Sequence, residues 1–187
     1  YSSKCIQGFF IKDFGYKRNG NRDEKHLVHV VLSHYRYTKY LDAFPTYEQY
    51  IGCYLEDQIV FLNNLKKNIK DNVITKLSYD YENSLESRFN EKCTNLHFSR
   101  QGENYNKLIK NAKIVVVTYN CTTPVECIAM NIPTIIFWDK KHWELVQSAI
   151  PFFESLRQCG VFHDSPDSAA IMVQKIWDDV DGWWQSE

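Results

Sequence analysis

Glycine is scarce in this chain: 7 of 187 residues, with neither a G-x-G-x-x-G fingerprint nor a Walker loop among them. That disfavours dinucleotide binding through a glycine-rich turn and nucleoside-triphosphate hydrolysis on a phosphate loop. The six cysteines (Cys5, Cys53, Cys93, Cys121, Cys127, Cys159) form no C-x-x-C pair, and no histidine joins one at zinc-site spacing. A zinc ribbon or a disulfide framework is therefore not expected. The thiols read as reduced and mostly buried, as in a cytoplasmic protein. No apolar run comes near the ~20 residues that cross a bilayer. A basic excess is lacking too: 22 Lys and Arg stand against 23 Asp and Glu, for a net charge of −1. This argues against a nucleic-acid partner, while leaving room for a local basic pocket for a phosphate. Tyr1 opens a polar stretch without the n-region and h-region of a signal peptide, and a chain beginning at Tyr reads as part of something longer.

What is present is core material: 44% hydrophobic and 15% aromatic residues, enough for one domain. Residues 1–25 read as an N-terminal extension or interdomain segment, with a polar turn around Asn19-Gly20. From His26 onward short β-branched runs alternate with helical patterns. Strands are expected at 26–32, 73–77, 95–98, 113–118, 133–138 and 161–163. Helices are expected from Thr46 to about Leu65, and over 84–89, 105–112 and 123–130. Two more are expected over 141–159, split or kinked by Pro151 and ending at Gly160, and over 165–180. The strand runs are apolar throughout rather than alternating. They therefore predict an α/β fold over 26–187, a Rossmann-like parallel sheet with helices on both faces. Ligands of such sheets bind at the carboxyl ends of strands, beside a topological switch point.

The loop after the Val-rich strand, Thr118-Tyr119-Asn120-Cys121-Thr122-Thr123-Pro124-Val125-Glu126, is the most informative segment. Thr123 is placed to N-cap a helix, with Pro124 at N1 and Glu126 at N3, a capping box. First-turn amides and two threonine hydroxyls could hold a diphosphate or a nucleotide monophosphate. The plain alternative is a capping box that binds nothing.

The stretch from Asn104 to Asp139 resembles the donor-binding domain of GT-B glycosyltransferases, in which two Rossmann-like domains face each other across a cleft. The shared pattern is the helix Leu108-Ile109-Lys110-Asn111-Ala112, the Val-rich strand, Cys121-Thr122-Thr123, Glu126, and Asn131-Ile132-Pro133 where the family has Gly-x-Pro. Downstream, Phe137 to Glu144 and Gln147-Ser148-Ala149 resemble the corresponding region of undecaprenyl-linked N-acetylglucosaminyltransferases. Segments Thr118–Thr123, Met130–Trp138, His142–Leu145 and Ile176–Trp184 are similar to transferases of bacterial surface-carbohydrate gene clusters. The resemblance implies that Tyr119, Asn120, Thr122 and Thr123 meet the donor, the threonines at its phosphates. It implies further that Glu126 binds the ribose and that Glu144 and Gln147 reach the transferred sugar. It implies no cofactor beyond the nucleotide-sugar, linked to UDP, GDP or CMP, and no catalytic metal. It also implies an acceptor domain on the N-terminal side, with peripheral membrane association open to the full enzyme.

Three further places invite chemistry. Ser33-His34-Tyr35-Arg36 follows the first strand, where Arg36 could neutralise a departing phosphate and His34 could donate to it; an exposed Arg and a stacked His are the alternatives. Arg100, after the third strand, is a second phosphate candidate. Tyr79-Asp80-Tyr81 lacks the His-Pro pair of some CMP-donor transferases, and Asp80 is a weak candidate base. Asp178-Asp179-x-Asp181 reads as the solvated face of an amphipathic final helix rather than a metal site, and Trp183-Trp184 as a surface for another domain. The expected function is the donor-binding half of a metal-independent glycosyltransferase, inactive alone. The rivals are a non-catalytic Rossmann-like interaction module and a nucleotide-sugar epimerase or hydrolase.

Overall fold

The structure, a computed structural model, describes residues 26–33, 50–77, 85–100 and 102–186, with Tyr50 and Ile51 as backbone alone. Six strands form one sheet: β1 (Leu27–Val31), β2 (Val73–Leu77), β3 (His97–Phe98), β4 (Ile114–Val117), β5 (Thr134–Phe137) and β6 (Phe162–His163). Their order is β3-β2-β1-β4-β5-β6 and every pairing is parallel. This is the Rossmann-like α/β architecture the apolar runs predict. β1, β4 and β5 are buried at every position because helices cover both faces.

Side chains alternate across the pleated sheet, and the reversal of chain order between β1 and β4 puts helices on both faces, which gives two distinct cores. Leu27, Val31, Val73, Leu77, Val116 and Ile135 face one layer. It contains α1 (Leu55–Asn64), entered through a π-helical turn (Tyr50–Tyr54), with α2 (Lys67–Lys70), α3 (Leu85–Lys92) and α7 (Pro166–Ile176). Val28, Val30, Val115 and Val117 face the other layer, under α4 (Tyr105–Lys110) and α5 (Thr123–Ala129). Phe61 of α1 lies fully buried between the His29 and Phe137 rings, at 5.3 and 5.1 Å, and so clamps the helix to the sheet centre.

Helix ends follow local chemistry. Asn104 and Ser165 cap α4 and α7 through their side chains, with Pro166 in the first turn of α7. Asn131 takes the left-handed conformation, φ 57°, beyond the end of α5. Its N–H donates to Ile128 O and that of Ile132 to Cys127 O, both at 2.9 Å, the double bond of a Schellman ending. Asparagine thus fills a left-handed position for which glycine is the commonest choice. Gly160, φ 72°, ends α6 (Ile150–Gln158) in the same way, as expected.

Several expectations need correction. The helix expected over 141–159 begins only at Ile150: Pro151 sits in its first turn and starts the helix instead of kinking it, while 141–149 is irregular. The last helix does not run to Val180. α7 stops at Ile176, and Asp179 caps a separate α8 (Val180–Trp184) by accepting from Gly182 N at 3.0 Å. Asp179 is thus a cap rather than one more solvated acid on a continuous helix. The third strand is shorter than expected, since Asn95 adopts φ 59°. Trp183 and Trp184 pack on their own domain: their indoles donate to Cys159 O and Asn131 Oδ1, at 3.2 and 2.9 Å. Cys93 and Cys127 are buried, but Cys53 and Cys159 are exposed, and all of the described cysteines are free thiols.

Candidate functional site

At the switch point the carboxyl ends of β1 and β4 diverge. Thr118, just past β4, is fully buried and donates to Val30 O of β1 at 3.0 Å. A hydroxyl has one proton, so the 2.6 Å contact between Tyr54 Oη and Thr118 Oγ1 must be donated by Tyr54. Tyr54 Oη in turn accepts from Leu32 N at 2.8 Å. A directed relay, Leu32 to Tyr54 to Thr118 to Val30, therefore fixes the crevice floor. Trp143, from beyond β5, meets the edge of the Tyr54 ring at 5.7 Å and closes the side.

The β4–α5 loop rises from this floor. Asn120 and Thr122 are exposed; Tyr119, Cys121 and Glu126 are half-buried. The predicted capping box does not form. Thr122, not Thr123, occupies the N-cap, and its side chain makes no capping bond. Thr123 turns inward and is 8% exposed, against the Tyr105 phenol and the Cys121 thiol. Burial pushes both of those groups above their ordinary pKa, and Cys127 beneath them up to about 12. The thiols and phenol on the underside of the loop are therefore neutral, and its upper rim, Tyr119, Asn120 and Thr122, is the part that presents polar groups outward.

Beyond β5 the chain forms a pocket of about 480 Å³ at the carboxyl ends of β5 and β6, and Glu144 lines it with Trp138, Lys140 and Lys141. Gln147 is exposed on the same irregular segment but is not among the lining residues. Arg100 lines a different cavity, about 660 Å³, with His26, His97 and Ser99 at the β3 edge. Two strands, β2 and β1, separate that edge from β4. The structure thus holds Glu144 on the same side of the switch point as the Thr122 loop and keeps Arg100 apart from both. His34, Arg36 and Asp80 lie outside the described residues.

A family model for the LIC12162 family transferases matches residues 4–187. The chain belongs to the LIC12162 family of transferases. No curated protein matches it. Among the described residues, no helix of this LIC12162 family member is long and apolar enough to cross a membrane, and no group of three or more His, Cys, Asp or Glu is arranged to hold a metal ion.

Sequence reasoning overlooked several residues that this LIC12162 family transferase places near the crevice. Tyr54 falls within the helix expected from Thr46 to about Leu65, and its hydroxyl contact with Thr118 spans 64 residues. Asp57, one turn later in α1, is half-buried; burial first, then the neighbouring Asp139 carboxylate, raises its pKa to about 6, with His142 opposing. The signal for Asp139 was available, since it follows the fifth strand directly. A carboxylate with a raised folded pKa binds its proton more tightly in the native state, so stability declines as pH rises from 3.8 through 6. Asp57→Asn is expected to stabilise the chain at pH 7 by less than about 1 kcal/mol, given its partial exposure, and by nothing below pH 4. Urea unfolding at pH 4 and 7 checks it; a loss of stability at pH 7 would show instead that the ionised carboxylate supports the fold.

Proposed function

We propose that this transferase domain is the donor-binding half of a nucleotide-sugar-dependent glycosyltransferase of the GT-B kind, with acceptor binding supplied by a second domain. The observation that carries this reading is the position of the Tyr119–Thr122 rim at the β1/β4 switch point, where parallel α/β sheets bind their ligands. Membership of a transferase family supports a group-transfer reaction. The resemblance of residues 104–139 to GT-B donor domains supports the nucleotide-sugar.

In the proposed reaction an acceptor oxygen bonds to the anomeric carbon as the bond from that carbon to the phosphate oxygen breaks. The acceptor proton passes to a base, and the nucleotide leaves with the electron pair. Tyr119, Asn120 and Thr122 hold the phosphates, Glu126 takes the ribose, and Glu144 and Gln147 lie toward the sugar. Arg36 and His34 are the groups proposed to offset charge on the departing phosphate, because they come directly after β1 in the sequence.

Calorimetric titration of the chain with UDP, GDP and CMP tests the reading. One nucleotide is expected to bind with a dissociation constant below a few millimolar, Thr122→Ala to weaken it several-fold, and turnover by the chain alone to be negligible. Silence toward all three at millimolar concentration would overturn the assignment.

A further inference from the structure

The pocket beyond β5 has a composition that a neutral sugar does not require. Its volume of about 480 Å³ falls within the range of small-ligand sites, about 300–1,000 Å³. Trp138 and Phe162, both buried, stack edge-to-face at 4.9 Å and give it an aromatic wall. Arg157 is committed elsewhere: its guanidinium makes two bonds to Asp164, at 2.9 and 3.1 Å, and a third to Glu154. That network neutralises Arg157. Lys140 and Lys141, both exposed, are the remaining cations in the lining and make no ion pair with any described residue; of the two lining carboxylates, Asp164 is held by Arg157, which leaves Glu144.

One more group is unsatisfied. The Trp138 indole N–H belongs to a side chain 2% exposed and has no hydrogen-bond partner. A buried donor left unpaired is costly, and the residue that carries it is one of those that line this pocket. An aromatic wall, one lining carboxylate that Arg157 does not hold and two lysines without an ion pair among the described residues together match a sugar that carries its own negative charge.

We infer that the Trp138–Lys141 pocket is a subsite for a carboxylated sugar, with Lys140 and Lys141 pairing with its carboxylate. That this sugar is the transferred one rests on the transferase reading above; the pocket itself can be tested without it.

The test follows the Trp138 indole cross-peak of the ¹⁵N-labelled chain during titration with glucuronate, glucose and inorganic phosphate. Glucuronate is expected to move the peak with an affinity about five- to tenfold above that of glucose, as two exposed ion pairs allow. Phosphate should not reproduce the shift. Lys140→Ala combined with Lys141→Ala, at exposed positions that do not threaten the fold, should bring glucuronate down to within about twofold of glucose. Equal responses to glucuronate and glucose would overturn the subsite. So would a glucuronate preference that survives the double substitution, or a phosphate response matching that of glucuronate. Nucleotide binding without a uronate preference would sink this inference alone, whereas uronate binding without any nucleotide would sink the transferase reading instead.

Discussion

Acidification from pH 6.5 to 4 is expected to remove about 3 kcal/mol of stability through one side chain, His29. His29 sits in the middle of β1, wholly buried, and burial lowers its pKa from 6.5 to about 4 against the opposing effect of its bond to Gln58. The partner geometry shows why. The Gln58 amide nitrogen donates to Tyr54 O at 3.0 Å, so the Gln58 oxygen faces His29 Nε2, also at 3.0 Å. Nε2 therefore carries the proton. The other ring nitrogen, Nδ1, is buried without a partner, and a second proton placed there would meet no acceptor. The sign follows: a base with a depressed folded pKa keeps its stabilising neutral form above 6.5, and the unfolded chain binds the extra proton as pH falls toward 4. Urea midpoints at pH 7, 6, 5 and 4.5 should fall more steeply for the native chain than for His29→Phe. The absolute stability of that variant matters less than its slope, since Phe leaves Gln58 without its donor. Parallel declines would show that other groups carry the acid sensitivity.

The fold was more legible than the site because its signals are local. Val115-Val116-Val117 and Ile135-Ile136-Phe137 are stiff, branched or aromatic runs too short for helices and apolar on both faces, which suits the centre of a parallel sheet. Boundaries failed where two local preferences competed. Around Pro151, a helical pattern from Lys141 onward gave way to the ring's preference for the first turn. At Asp179, capping of a new helix outweighed continuation of the old one. At Thr122 and Thr123, a shift of one residue turned the second threonine hydroxyl from the ligand side into the protein. The site depends on such directions and on contacts distant in sequence. Strand order alone shows that Arg100, though it follows a strand, lies at the sheet edge. Likewise, no periodicity singles out Tyr54 as the residue that joins the two strands of the switch point.

Tyr54→Phe is the substitution that should separate the crevice from the rest of the fold. It preserves the ring against Trp143 but removes the acceptor of Leu32 N–H and the donor to Thr118. Loss of buried bonds of this kind costs about 1–3 kcal/mol, and Thr118→Val, which cuts the same relay one step later, should cost a similar amount. Because both act on one chain of donors, the double variant should fall short of the sum by about 1 kcal/mol or more. Denaturant unfolding of the four proteins measures that coupling, and strict additivity would break the relay into unrelated contacts. The relay also holds the carboxyl ends of β1 and β4 at a fixed separation, and any ligand at the switch point must span those ends. Nucleotide affinity is therefore expected to drop several-fold in Tyr54→Phe, even at temperatures where the variant is fully folded. A variant that lost stability but kept its affinity would place the ligand away from the crevice floor and toward the exposed rim of the β4–α5 loop.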